Sequence, residues 1–185
     1  MSDSTYTIGY FVGSLASDSI NRRLSEALIR LAPHHLTFRE IPIDTVPLYS
    51  RDYDASYPPE ALELKELVES VDGILFVTPE YNRDIPGALK NAIDWGSRPW
   101  MRNSWEGKPA ATLGASIGSI GTYGAQSHLK AVLSFLDMAV MNHPDFYFNI
   151  TRGLDENGGL TPSARALVRE FLASFHTFVR ERGAV

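Results

Sequence analysis

Short apolar runs rich in β-branched and aromatic residues alternate along this chain with longer segments that place apolar residues three or four positions apart. Runs of the first kind are typical of buried strands, and spacing of the second kind predicts helices that bury one face. The predicted strands are residues 6–12, 36–43, 73–78, 110–116 and 146–150. The predicted helices are residues 20–31, 59–70, 86–95, 126–141 and 162–180.

Strands and helices alternate five times, with no internal repeat or low-complexity linker between them. This alternation predicts an α/β fold, because parallel strands are joined by crossovers that place helices on both faces of the sheet. We therefore predict a flavodoxin-like three-layer sandwich with a five-stranded parallel sheet of order 2-1-3-4-5, formed by a single domain over residues 1–185. In such a sheet, ligands bind at the carboxyl ends of the strands, at the switch between the first and third strands.

Composition excludes several classes of function but does not identify the function itself. The 185 residues include 17 basic and 22 acidic side chains, a net charge of −5, which argues against a nucleic-acid partner because phosphate binding needs clustered cations. Cysteine is absent, which excludes disulfides, thiolate nucleophiles and cysteine-ligated metals. No apolar run reaches the roughly 18 residues of a membrane span, and the first residues lack the pattern of a signal peptide. We therefore expect a cytoplasmic protein with no membrane partner.

Three segments that follow predicted strands meet at the expected ligand edge: loop 1 (residues 13–21), loop 2 (residues 78–87) and loop 3 (residues 116–124). Loop 1 holds three serines and an asparagine at the start of a helix, where free backbone N–H groups attract an anion. It therefore predicts a site for a phosphate monoester, with ordinary helix capping by Asp18 or Ser19 as the competing interpretation. Neither a P-loop nor a G-x-G-x-x-G motif follows the first strand.

Loop 2 combines a proline, an aromatic residue and polar side chains. This composition suits contact with the edge of a flat ring. A polar turn before a helix would have a similar composition. Loop 3 is rich in glycine, which permits close backbone approach to a ligand. Residues 114–118 also match the G-x-S-x-G nucleophile elbow of serine hydrolases. Asp137 with His143, or Asp155 with His176, would supply the remaining order of a triad around Ser116. That remote alternative leaves loops 1 and 2 unexplained.

Longer blocks of the sequence resemble a known protein family. Gly13-Ser14-Leu15 with Ser19 and Asn21, and the block Pro79-Glu80-Tyr81-Asn82 through Pro86-Gly87-Ala88-Leu89-Lys90-Asn91-Ala92-Ile93-Asp94-Trp95, resemble the NADPH-dependent FMN reductases, a family that includes quinone, chromate and azo-compound reductases. Residues 133–138 and 141–144 resemble the family as well. The resemblance implies a flavodoxin-like fold, non-covalently bound FMN, and NAD(P)H as co-substrate.

The resemblance also implies cofactor-binding residues, which lie in the three loops. They are Ser14, Leu15, Ala16, Ser17, Ser19, Ile20 and Asn21 for the phosphate, Pro79, Glu80, Tyr81 and Asn82 for the ribityl chain and isoalloxazine, and Ser116, Ile117 and Gly118 for the pyrimidine side. One departure matters: Ala16 stands where the family often has an arginine, so the phosphate loop lacks a cation. Arg22 or Arg23 could compensate for it.

The implied activity is reduction of quinones, azo compounds, chromate or free flavin by NAD(P)H, through FMN and in a ping-pong scheme. No side chain is nominated as catalytic, since the cofactor would carry the hydride chemistry. No metal is expected, because His128, His143 and His176 lack ligand spacing. A single-electron carrier and a flavin sensor without turnover remain open alternatives. Relatives are dimers or tetramers, so a homodimer or homotetramer is expected, with Asp94, Trp95 and Arg98 at a subunit contact.

Overall fold

A parallel sheet runs through the centre of the structure, a computed structural model that describes residues 4–155 and 159–182. Its strands are β1 (Tyr6–Val12), β2 (Leu36–Glu40), β3 (Gly73–Val77), β4 (Pro109–Ser116), β5 (Ala139–Val140) and β6 (Tyr147–Asn149). The helices are α1 (Ile20–Arg30), α2 (Pro59–Glu69), α3 (Gly87–Gly96), α4 (Tyr123–Phe135), α5 (Ile150–Gly153) and α6 (Pro162–Arg182). None of the described helices is both long enough and apolar enough to cross a membrane.

The strand order β2-β1-β3-β4-β5 confirms the predicted topology. All pairings in the sheet are parallel, with β1 hydrogen-bonded to both β2 and β3. The central strand β3 is buried at every position, because helices cover both faces. Its uninterrupted apolar sequence is therefore the pattern expected of a central parallel strand. The second strand ends at Glu40 rather than at residue 43, since Pro42 has no N–H to donate to the sheet.

The edge position beyond β4 is shared by two short strands, and this corrects the predicted end of the fourth helix. Residues 139–140 pair with the start of β4, and residues 147–149 pair with its end. The helix predicted for residues 126–141 begins earlier, at Tyr123, and stops at Phe135. Asp137 has a left-handed backbone with φ 61°, which ends the helical conformation. Apolar residues continue beyond it at helical spacing because the short strand β5 is partly buried too.

Asp137 provides the first testable prediction. A residue with a side chain in the left-handed region is strained, and glycine is not. We expect Asp137→Gly to raise the free energy of unfolding by about 0.5–1 kcal/mol, and the melting temperature by roughly 1–4 °C for a chain of this size. Thermal unfolding followed by circular dichroism measures the change. An unchanged or lower melting temperature would show that the Asp137 side chain stabilises this turn.

Two apolar cores cover the two faces of the sheet. Helices α1 and α6 pack on one face through Leu24, Leu28, Phe171 and Phe175, all of which are buried. Helices α2, α3 and α4 pack on the other face around Trp105, which contacts Phe11 and Phe76. Each fully buried side chain of this size contributes about 1.5–3 kcal/mol of transfer free energy. The two cores therefore hold the sheet rigid and leave the loops at its carboxyl edge free to bind a ligand.

Candidate functional site

Loops 1, 2 and 3 meet at the carboxyl edge of the sheet, as predicted, and side chains tie them to one another. The Ser14 and Tyr81 hydroxyls lie 3.2 Å apart and join loop 1 to loop 2. The Glu80 carboxylate accepts hydrogen bonds from the backbone N–H groups of Gly124 and Ala125 at 2.8 and 3.2 Å, which joins loop 2 to the start of α4. The three loops thus form one connected surface.

Loop 1 presents unpaired backbone donors at the start of α1. Ser19 caps the helix by accepting a hydrogen bond from the Arg22 N–H at 3.3 Å, so the capping interpretation holds for this residue. Among residues 4–155 and 159–182, no acceptor receives the backbone N–H groups of Leu15, Ser17 or Ile20. The first N–H groups of a helix have no partner within the helix, and such groups suit an anion. Loop 1 therefore has the geometry of a phosphate cradle.

The Asn21 side chain joins loop 1 to β4, a contact that its position in the sequence did not indicate. Its side chain is 1% exposed and contacts β4: the amide NH2 donates to the Ala115 carbonyl at 3.0 Å, and the amide oxygen accepts the Ala115 N–H at 2.8 Å. Both polar atoms are thus engaged within the protein. Asn21 continues the hydrogen bonding of β4 beyond the end of β3, and so fixes loop 1 relative to loop 3.

Loop 2 contains a tight two-residue turn. Tyr81 and Asp84 exchange two backbone hydrogen bonds, and the intervening Asn82 and Arg83 both have positive φ. This is the geometry of the hairpin turns that match the twist of paired strands. The side chains of Tyr81 and Asn82 are exposed at the site, whereas Pro79 is buried. Of the four loop 2 residues predicted to line the ribityl chain and isoalloxazine, these two have exposed side chains.

Loop 3 is shaped by Ser116. Its hydroxyl donates to the Gly121 carbonyl at 2.7 Å and accepts the Gly118 N–H at 3.2 Å. Ile117 is 76% exposed, and the three loops carry four further exposed apolar side chains. These are Leu15, Tyr81, Ile120 and Tyr123. Exposed apolar groups gathered beside free polar donors are the usual composition of a small-molecule site, and they suit a flat aromatic ring.

The hydrolase alternative finds no triad around Ser116. His176 packs against the rings of His35 and Tyr6, which lie at the amino ends of β2 and β1. Asp137 accepts a hydrogen bond from Gly107, just before β4 begins, whereas Ser116 ends that strand. One member of each proposed triad thus lies near the amino ends of the strands, whereas Ser116 lies at a carboxyl end. The two ends are about seven strand residues, or roughly 20 Å, apart.

A cavity of about 390 Å³ lies beside loop 1, on the side of β2. Arg22 enters it and forms a bidentate ion pair with Glu40 at 2.8 and 3.0 Å, and the Tyr10 hydroxyl donates to the same carboxylate. The hydrogen bond from Arg22 lowers the pKa of Glu40. Arg23, the other candidate cation, lines a different cavity between α1 and α5. Of the two arginines, only Arg22 is therefore close to loop 1.

Tyr10 gives a pH-dependent prediction. Burial, followed by the Glu40 charge, raises the pKa of Tyr10 from 10.0 to about 12. A group with a raised pKa in the folded state stabilises the fold below its unfolded pKa and loses that contribution as pH rises through the folded value. We expect wild-type stability to fall more steeply than that of Tyr10→Phe between about pH 10 and about pH 12. Urea unfolding across this range measures it, with the exposed Tyr53→Phe as control. Equal slopes for wild type and Tyr10→Phe would contradict the prediction.

Comparison with known proteins decides the family. The sequence model of the NADPH-dependent FMN reductase family matches residues 6–152. The chain belongs to this family. A 2-hydroxy-1,4-benzoquinone reductase of Burkholderia sp is 45% identical over 177 residues, covering 95% of this chain and 97% of the relative. A quinone reductase of Pseudomonas putida is 41% identical over 182 residues, covering 97% and 98%.

Solved structures agree with this FMN reductase assignment. The flavoenzyme FerB of Paracoccus denitrificans, an NAD(P)H:acceptor oxidoreductase, superposes with a TM-score of 0.90 at 38% identity, covering 96% of this chain and 99% of that one. A flavodoxin variant of Pseudomonas aeruginosa has a TM-score of 0.57 at 17% identity, covering 92% and 99%, and so shares the fold. This FMN reductase family member is thus a flavodoxin-like oxidoreductase with FMN as cofactor and NAD(P)H as co-substrate.

The residues present fit FMN. Unpaired N–H groups in loop 1 suit its phosphate, and the exposed apolar side chains of loops 2 and 3 suit its ring. Sequence reasoning missed the contacts that hold these loops together. Glu80 was expected at the ligand, yet its carboxylate binds the start of α4. The Arg22–Glu40 pair spans 18 residues between a helix and a strand, and no local spacing signals it.

Proposed function

We propose that this protein is an NAD(P)H-dependent quinone reductase that carries FMN at the three-loop site. The observation that supports the site most strongly is the group of unpaired N–H donors at the start of α1, connected through Ser14 and Tyr81 to an exposed apolar surface. Relatives over the whole chain are named quinone reductases, including one named for a hydroxylated benzoquinone. A phosphate cradle joined to an apolar platform is what FMN requires.

Each part of the site has a defined task in this proposal. Loop 1 holds the phosphate through the backbone and hydroxyls of residues 14–20, and Ala16 contributes no charge, so the helix dipole and hydroxyls carry the binding. The side chains of Asn21 and Glu80 hold the loops in position through hydrogen bonds to β4 and to the start of α4. Tyr81 and Asn82 contact the ring and ribityl chain, while residues 116–118 approach the pyrimidine edge. Backbone N–H groups there would stabilise negative charge on the reduced ring.

FMN held by loops 1, 2 and 3 would supply the hydride chemistry by which NAD(P)H, with a proton from solvent, would reduce the quinone to hydroquinone. The protein contributes orientation and a surface partly shielded from water. We propose that NAD(P)H and quinone occupy the same face in turn, a ping-pong scheme, since the described strands form one sheet. Azo compounds, chromate and free flavin are further substrates in this proposal.

We also propose that the protein forms a homodimer or homotetramer. The burial of Trp95 changes which of the predicted residues would lie at the subunit contact. Trp95 is fully buried among Tyr49, Tyr53 and Tyr57, so it supports the fold rather than an exposed interface. Arg98 lies at the surface over the ring of Trp100, which is 78% exposed. Sedimentation of the purified protein measures its mass, and a monomer at micromolar concentration would contradict this part of the proposal.

Steady-state kinetics test the function. We expect oxidation of NAD(P)H that requires both FMN and a benzoquinone, with parallel double-reciprocal lines as the quinone concentration is varied. Apoprotein prepared without FMN should be inactive and should recover on addition of FMN. Quinone reduction at equal rates with and without FMN would contradict the proposal, and intersecting lines would contradict the ping-pong scheme alone.

A further inference from the structure

The cavity beside loop 1 extends from that loop to the segment that follows β2. It is lined by residues 14–17, by Arg22, and by the segment 40–44 that follows β2. In the sheet order, β2 flanks β1 on one side, whereas β3 and β4, which carry loops 2 and 3, lie on the other. A bound FMN would extend from loop 1 towards loops 2 and 3. Residues 14–17 thus form a wall that the cavity shares with the proposed phosphate site, whereas Arg22 and the segment 40–44 have no role in FMN binding in this proposal.

A nicotinamide dinucleotide has the length to use it. With its nicotinamide stacked on the flavin ring, such a coenzyme carries a second nucleotide that must lie beyond the ring. The cavity borders the same loop 1 that would hold the FMN phosphate, so it lies along the edge of the sheet from the ring. Its volume of about 390 Å³ is within the range of clefts that bind small ligands.

The charges that line the cavity favour a diol over a phosphate. One arginine, Arg22, faces two carboxylates, Glu40 and Asp44, which leaves one net negative charge. Glu40 already holds the Arg22 guanidinium in a bidentate pair, so that guanidinium is not free to receive an anion. Carboxylates at the end of the second strand accept hydrogen bonds from ribose hydroxyls and repel a 2′-phosphate, whereas a free arginine there attracts it.

We propose that this cavity binds the adenosine ribose of the reductant, and that Glu40 and Asp44 make the enzyme select NADH over NADPH. The inference rests on the proposed function, since it concerns the coenzyme that reduces FMN. Glu40 acts twice in this arrangement: its charge opposes the 2′-phosphate, and its ion pair keeps Arg22 from compensating. Asp44 is exposed at the rim and adds a second negative charge.

Coenzyme binding to the FMN-loaded protein tests the proposal. Anaerobic stopped-flow reduction of FMN at increasing coenzyme concentration gives an apparent Kd for NADH and for NADPH. Calorimetry with adenosine 5′-monophosphate and adenosine 2′,5′-bisphosphate gives the same comparison without turnover. We expect wild type to bind the forms without the 2′-phosphate about tenfold more tightly or better. In Glu40→Gln, which keeps an acceptor for Arg22 but removes the charge, this ratio should fall about tenfold.

Two further variants sharpen the comparison. Asp44→Asn changes an exposed side chain and should lower the same ratio without affecting folding. Glu63→Gln removes an equal charge from an exposed position on α2 and should leave the ratio unchanged. Equal affinities in wild type, or equal ratios in Glu40→Gln and Glu63→Gln, would overturn the selection of NADH. If neither coenzyme reduces FMN, the proposed function fails, and the calorimetric arm still decides whether the cavity distinguishes the two nucleotides.

Discussion

Gly114→Ala is expected to disrupt the site and weaken FMN binding at least tenfold, because β4 has no room for a side chain at this position. A Cβ there would overlap the Thr78 backbone carbonyl and the Thr122 hydroxyl. Thr78 begins loop 2, and Thr122 lies in loop 3. The backbone at Thr78 cannot yield as a flexible side chain would, so the two loops must separate. Overpacking in a core costs about 1–3 kcal/mol, and we expect the upper part of that range.

Gly87→Ala is the matched control for this prediction. Gly87 begins α3, and a Cβ added there meets no atom within 4 Å. Alanine is favoured over glycine in helices, so Gly87→Ala should leave stability unchanged or raise it by up to about 1 kcal/mol. Quenching of FMN fluorescence gives the affinity, and thermal unfolding gives the stability. Retention of wild-type FMN affinity by Gly114→Ala would show that the close approach of loops 2 and 3 is not needed.

Asn21→Ala is expected to destabilise the protein by about 2–5 kcal/mol. The substitution leaves the N–H and the carbonyl of Ala115 without partners in a buried position, and each orphaned group costs about 1–2.5 kcal/mol, within the usual range of about 1–3 kcal/mol. That loss is a large share of the roughly 5–15 kcal/mol by which most domains are stable. FMN affinity should fall as well, since loop 1 would no longer be fixed relative to loop 3.

Urea unfolding measures the loss of stability in Asn21→Ala, with Asn142→Ala as the matched control. Asn142 is exposed, and its substitution should change the free energy of unfolding by no more than about 0.5 kcal/mol. A loss of FMN affinity with unchanged stability would mean that Asn21 contacts the phosphate directly, as the family resemblance implied. Unchanged stability and unchanged affinity together would contradict both roles.

The fold was predictable because its signals are local. Apolar runs and helical spacing located β1 to β4 and β6 but assigned the short strand β5 to a helix, and the alternation of strands and helices indicated the order of the sheet. The error at the end of α4 arose where a left-handed Asp137 interrupts a pattern that remains apolar beyond it. Spacing shows which residues are apolar, and it does not show the backbone dihedral of a single aspartate.

The site was predictable only in outline. Three unusual loops after neighbouring strands pointed to the carboxyl edge, and the resemblance supplied the cofactor. The long-range contacts were not visible: Asn21 reaches a partner 94 residues away, and Glu80 one 44 residues away. Such contacts depend on the three-dimensional path of the chain, which local composition does not encode. They add a role in positioning the loops to the predicted ligand contacts of Asn21 and Glu80, which stay predictions.

The visible spectrum of the protein loaded with FMN and freed of excess flavin by gel filtration tests the central claim most directly. The account predicts that FMN stays bound, that its yellow absorbance band disappears when NADH is added anaerobically, and that the band returns on addition of 1,4-benzoquinone. Protein that retains no FMN, or bound FMN whose band persists with both NADH and NADPH, would contradict it.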